Sequence, residues 1–359
     1  MFVCRGADIN YQRSGNALAT ALGYITRWHS FWDPRILMHP LRPFIQGYYG
    51  HVMNKLIHKE LDQRFLELQE DTSQSRADRH IKQSGGKSVV TLAIEAYMAE
   101  NKESDLMQRS KLEKHFAQYA TYQIRLFLFA GNDTTSSTIV YVYHLLSQHP
   151  EALEKVCQEH DRVFGSDAEK AAELLVRRPA LLNQCRYTVA VIKETLRLYP
   201  PAATMRAGRP GVTINDRHGN LYPMDYVGAT ILHPAVHRNP RLWLQPDKFL
   251  PDRFLVEQGH ELFAYPPAFR PFEQGPRNCI GQTLVWSEIQ IALILTLRTF
   301  NIAPAYDEWD AMQKTGTMGT LKAKFFGEPV KTVHGDRAYQ TEKAGTHPAD
   351  GYPCRVTLS

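Results

Sequence analysis

Cys279 stands in the segment PFEQGPRNCIG, residues 271–281, a loop built around Gly275, Pro276, Asn278 and Gly281. A long apolar run of helical character follows from Thr283 to Phe300. A helix N-terminus and a nearby cation, Arg277, both favour the thiolate over the thiol. A thiolate is what a soft metal centre needs. The glycines let backbone approach a flat ligand closely and turn N–H groups toward the sulfur. An isolated cysteine is usually a small buried hydrophobe, so the spacing around this one has to carry the argument.

Phe272, Gly275, Arg277, Cys279 and Gly281 fit the pattern F-x-x-G-x-R-x-C-x-G, which resembles the haem-binding loop of the cytochrome P450 superfamily. The resemblance implies that Cys279 is the thiolate ligand of a haem b iron. Such a ligand pushes electron density onto the metal and favours O–O cleavage. It also implies that Phe272 packs near the sulfur and that Arg277 pairs with a haem propionate.

Two further motifs stand upstream, and the three occur in the order the family would require. Glu194 and Arg197 lie three apart in VIKETLRLYP and would share a helix face. Exposed pairs of this kind contribute only about 0.3–0.5 kcal/mol. Upstream of PDRF they resemble the family's Glu-Arg-Arg triad, which implies a structural lock made by Glu194, Arg197 and Arg253. In FAGNDTTSS, Gly131 and the Thr/Ser run are poor helix formers inside a helical segment. Asp133 and Thr134 resemble the family's acid–alcohol pair, which delivers protons during oxygen activation. The alternative is a Thr134 hydroxyl that bonds back to the helix and bends it. Arg206, after the Pro200-Pro201 turn, resembles a second propionate partner; the alternative is a surface arginine. His237, in HPAVHRNP, resembles a structural histidine of the family.

These residues need elements to hold them. Apolar residues recur at helical spacing from Pro43 to Gln69, including Phe44, Tyr48, Val52, Leu56, Leu61, Phe65 and Leu68. A polar stretch over 70–88 reads as a mobile loop. Helices are expected near Val89 to Ala99, Ser110 to Gln148, Pro150 to Phe164 and Gln184 to Leu198. Val212 to Thr230 reads as a β-hairpin, Pro234 to Phe272 as coil, and Arg355 to Leu358 as a strand. The expectation is a mostly α fold with minor β, in one domain over residues 1–359.

Composition narrows the class. Hydrophobic residues are 43% and charged residues 22%, an ordinary globular mixture. The net charge of +5 comes without a dense Lys/Arg block, so nucleic acid is not an expected partner. Five scattered cysteines without a C-x-x-C pair argue against a disulfide scaffold and a structural zinc site. No apolar run is long enough for a membrane span.

The resemblance runs from about Pro43 onward. It implies the C-terminal two-thirds of a cytochrome P450 fold, truncated at its N-terminus and lacking the family's membrane anchor and most of its main sheet. The activity implied is that of a haem-thiolate monooxygenase acting on a lipophilic small molecule, in the manner of fungal secondary metabolism. Electrons would come from NADPH through a separate NADPH-cytochrome reductase, since no G-x-G-x-x-G or flavin module is present. The family's setting is the endoplasmic reticulum membrane surface. The rivals are a non-catalytic haem-binding remnant, an isomerase or dehydratase built on the same haem site, and, more remotely, a cysteine-nucleophile hydrolase.

Overall fold

The computed structural model describes residues 16–30, 33–73, 88–101, 110–314, 332–333, 335–343 and 345–359. They fall into two compact units, Met1–Asn132 and Asp133–Ser359.

The first unit is helical. Helices α1 (Ala17–Arg27), α2 (Pro34–Leu37), α3 (Arg42–Ser73) and α4 (Val89–Glu100) precede the long α5 (Lys114–Gln148), whose first turns belong here. Asn16 caps α1, its Oδ1 accepting from the Leu18 and Ala19 amides, and Ser88 caps α4 through the Thr91 amide. A cap of this kind contributes about 1 kcal/mol. The core joins Leu18 and Ala21 to Met53, Ile57, Leu61 and Phe65, then to Ile94, Ala120 and Ile124. On α3 the buried residues are three or four apart, as one helix face requires. The expected stripe holds from Val52 onward, with Val52 and Leu56 packed partly buried against this core and Leu61, Phe65 and Leu68 within it. Phe44 and Tyr48, at its start, are 74% and 65% exposed. Residues 70–73 of the expected loop are the last turn of α3, and 74–87 lie outside the described residues.

The second unit holds the rest of α5 with α6 (Pro150–Phe164), α7 (Ala171–Arg177), α8 (Arg186–Leu198), α9 (His233–His237), α10 (Gln282–Thr296) and α11 (Tyr306–Lys314). Helix α6 begins with proline at its first turn and stops at Gly165, whose φ of +81° suits glycine. The core packs Val142, Leu145 and Leu146 of α5 against Val156, Val191, Ile192, Leu196, Ile289 and Leu293. Helix α8 is buried around most of its circumference, Glu194 and Arg197 included.

Strands are short and form four antiparallel pairs among the described residues. β2 (Thr213–Asn215) and β3 (Leu221–Pro223) make a hairpin, its turn set by Asp216, which accepts from the His218 and Asn220 amides. β1 (Thr204–Ala207) pairs with β4 (Gly228–Ile231), so the expected single hairpin over 212–230 is two separate ladders. β5 (Phe300–Pro304) pairs with β8 (Cys354–Leu358), and β6 (Gln340–Lys343) with β7 (Gly345–Pro348). Helix α10 ends at Thr296 and not at Phe300, because Phe300 is taken into β5 opposite Leu358.

Candidate active site

The cysteine loop is closed by its own backbone. The Cys279 amide donates to the Phe272 carbonyl at 2.9 Å, and the Asn278 amide to Gly275 at 3.1 Å. Gly275 takes φ +83°, open to glycine at little cost. The Phe272 ring meets Trp286 of α10 edge-on at 5.3 Å, fastening the loop to the helix it precedes. Cys279 is exposed at the N-terminal edge of α10, and a side chain at Gly281 would rest 3.8 Å from its Sγ. Ile280 and Leu284, its apolar neighbours, are 86% and 66% exposed. Arg277, on the same loop, is exposed with no ion pair among the described residues. Arg206, on β1, is exposed, and its guanidinium donates to the carbonyl of Met205 with no ion pair among the described residues.

An exposed thiol beside uncovered apolar side chains, with arginines that have no carboxylate partner among the described residues, fits haem. The group is flat and apolar, carries two propionates, and takes one soft ligand from the protein.

A buried ionic network joins α8 to the coil that precedes this loop. Arg197 meets Glu194 twice, Nε to Oε2 at 2.7 Å and Nη2 to Oε1 at 2.8 Å. Arg253 Nε reaches Glu194 Oε1 at 3.2 Å. All three side chains are at most 1% exposed. Arg197 spends its remaining donors on the carbonyls of His237, Pro246 and Lys248, and Arg253 also serves that of Gln245. The Leu250 amide adds a further bond to Glu194 Oε1. One helix thereby holds the coil from 237 to 254. His237 bonds Nδ1 to the Arg197 carbonyl at 3.2 Å and accepts the Arg270 amide at Nε2, 3.0 Å. Burial, and then the neighbouring His233, push its pKa down to about 3, so the ring is neutral and structural.

Asp133 and Thr134 lie on α5, which runs as a continuous helix through the Thr/Ser segment. Asp133 is 6% exposed; His347 of β7 donates from Nε2 to its Oδ1 at 2.9 Å. Its Oδ2 is buried without a hydrogen-bond partner among the described residues. The Thr134 carbonyl accepts the Thr138 hydroxyl at 2.8 Å.

The cytochrome P450 family model matches residues 2–326. The chain belongs to the cytochrome P450 family. It is 36% identical over 356 residues to the cytochrome P450 monooxygenase polC of Polytolypa hystricis, covering 98% of this chain and 59% of that one. It is 31% identical to the cytochrome P450 monooxygenase acrF of Aspergillus aculeatus, covering 89% of this chain and 63% of that one. The crystal structure of the cytochrome P450DA heme domain matches with a TM-score of 0.61 at 20% identity, over 96% of this chain and 61% of the other. The chain thus spans about six-tenths of the length of these relatives. The motifs alone place the start of the resemblance near Pro43. The family match places it at residue 2.

Within this P450 chain the structure brings together Glu194, Arg197 and Arg253, and separately Phe272, Arg277, Cys279 and Gly281 on their loop. His347, His233, Glu273 and Arg270 also bond to site elements, and sequence reasoning passes over them. The signal available was the four-residue spacing of His233 and His237 on one short helix. No helix among the described residues is long and apolar enough to cross a membrane.

Proposed function

We propose that this chain carries the catalytic haem site of a monooxygenase. A lipophilic substrate RH, dioxygen, NADPH and a proton would become ROH, water and NADP⁺, with a separate NADPH-cytochrome reductase as the electron donor. The observation that carries this reading is Cys279, exposed at the N-terminal edge of α10 on a loop its own backbone holds closed. When bound, haem supplies the activation of dioxygen, which a thiolate ligand promotes.

The chain's own residues have separate tasks in this reading. Cys279 supplies the thiolate, and the bond from its amide to the Phe272 carbonyl fixes the backbone that presents it. Gly281 leaves the flank of the sulfur uncrowded. Arg277 and Arg206 take the propionates through charge-assisted hydrogen bonds. Glu194, Arg197 and Arg253 keep the coil beneath the loop in place and take no part in bond-making. Asp133 and Thr134 hold and pass the proton: the Thr134 hydroxyl donates toward the oxygen side, and the Asp133 carboxyl resupplies it. The fungal relatives support a role in secondary metabolism, and the family supports a place at the endoplasmic reticulum membrane surface.

Turnover under isotopically labelled dioxygen, with a reductase and a panel of lipophilic substrates, tests the reaction class. One labelled oxygen atom in the product is expected. An isomerised or dehydrated product without label would replace this reading by the isomerase one.

A further inference from the structure

Glu273 follows Phe272, the residue whose carbonyl holds the Cys279 amide. Its φ is +59°, the left-handed region that glycine enters freely and a glutamate does not. Something must therefore hold it there, and the surroundings of its side chain show what does. The side chain is 9% exposed. Oε1 accepts from His233 Nε2 at 2.8 Å, and Oε2 from Arg270 Nη2 at 2.6 Å and Nε at 3.2 Å. Burial opposes ionisation of the carboxyl, but the bonds from Thr204, Arg270 and His233 outweigh it and hold its pKa at about 2.

His233 is itself 2% exposed, and its Nδ1 lies 2.7 Å from the Ala202 carbonyl. The ring thus bridges two acceptors, the Ala202 carbonyl and the Glu273 carboxylate. The charged groups around it are Glu273 and, beyond that carboxylate, Arg270. The adjacent ring, His237, stacks at 5.8 Å between centroids and is neutral. The carboxylate is thus held from two sides, by Arg270 of its own loop and by His233 of α9.

We propose that His233 and Glu273 form a hydrogen-bonded latch that holds the cysteine loop in its left-handed turn and so positions the Cys279 sulfur. The latch is a property of the loop. Its consequence for iron rests on the haem-thiolate reading. His233 and Glu273 are positioning residues and touch neither substrate nor sulfur in this account.

Two readouts test it on the purified chain. Amide hydrogen exchange over Phe272–Gly281, measured without haem, should quicken about tenfold in Glu273→Ala while the amides of α6 and α8 stay protected. The double variant His233→Gln/Glu273→Gly should restore the protection, since glycine takes the positive φ unaided and the Arg270 guanidinium, 29% exposed, can turn to water. After haem loading, the fraction of the reduced, carbon monoxide-bound protein with a thiolate-type Soret band should fall in Glu273→Ala and recover in the double variant. If Glu273→Ala does not fold, recovery of folded, protected loop in the double variant supports the latch, and a double variant that also fails overturns it. Unchanged exchange in Glu273→Ala, or a double variant no better protected than Glu273→Ala, also overturns it. A parent chain with no thiolate-type band would sink the haem reading alone, and the exchange measurement would still decide the latch.

Discussion

His347 donates from Nε2 to Oδ1 of Asp133 at 2.9 Å, across 214 positions of sequence. The bond lays β7 on α5 at the acid of the acid–alcohol pair. It is reinforced by the Ser137 hydroxyl, which donates to the Thr346 carbonyl. Gly345 makes the approach possible: a Cβ there would meet Asp133 Oδ2 and lie 3.3 Å from the Pro201 carbonyl.

Removing the histidine should therefore destabilise the fold. In His347→Ala both oxygens of a buried carboxyl lack a partner, at a cost of about 1–3 kcal/mol. Gly345→Ala should cost a similar amount, about 1–3 kcal/mol, by overpacking. Urea midpoints measure both. Midpoints equal to the parent's would show that β7 does not rest on α5 in solution.

Glu194→Ala should be more severe. It leaves Arg197 and Arg253 charged, fully buried and without their carboxylate, a loss of about 3–5 kcal/mol. The expected result is aggregated or haem-free protein. Recovery of soluble, fully haem-loaded Glu194→Ala would contradict the structural role of the network.

Thr134→Ala should leave haem loading intact and divert reducing equivalents to hydrogen peroxide, because the hydroxyl that passes the proton is gone. Thr134→Ser should keep most of the coupling. Peroxide and product are measured per NADPH consumed. Equal product per NADPH in Thr134→Ala and parent would remove Thr134 from proton delivery.

Acid should destabilise the chain in two stages. Burial first, then Arg298, pushes His160 down to about 4, and burial first, then His233, pushes His237 down to about 3. In the unfolded chain a histidine takes up its proton near pH 6.5, so below that value the unfolded state binds more protons and stability falls. Glu273 and Asp336 are both held at about 2. Their contributions are complete above the ordinary carboxylate range near pH 4 and are lost as pH falls toward 2. Each group contributes up to about 1.4 kcal/mol per pH unit within its window. Denaturant midpoints between pH 7.5 and 4 should fall steadily, beginning near pH 6.5. A flat profile down to pH 5 would mean that the buried histidines protonate in place.

The sequence revealed most where a local signal and a long-range requirement agree. Pro150 and Gly165 bracket α6 as read, and the Glu194–Arg197 spacing places both on one face of α8. The loop pattern around Cys279 marks the thiol without any help from coordinates. Local patterns fail where a partner far along the chain decides. Phe300 continues the apolar run of α10 yet pairs with Leu358 in a ladder. β1 finds β4 beyond the β2–β3 hairpin. The polar strands β6 and β7 show no alternation, so His347 reaches Asp133 unannounced. Glu273 looks like a surface residue until His233, 40 positions earlier, turns out to hold it.

The reduced, carbon monoxide-bound absorption spectrum of the purified chain, set beside that of Cys279→Ala, tests the central claim most directly. The account predicts a thiolate-type Soret band in the parent and its loss in the variant, with the fold otherwise retained. A parent without that band, or a Cys279→Ala protein that keeps it, would contradict the assignment of Cys279 as the thiolate ligand.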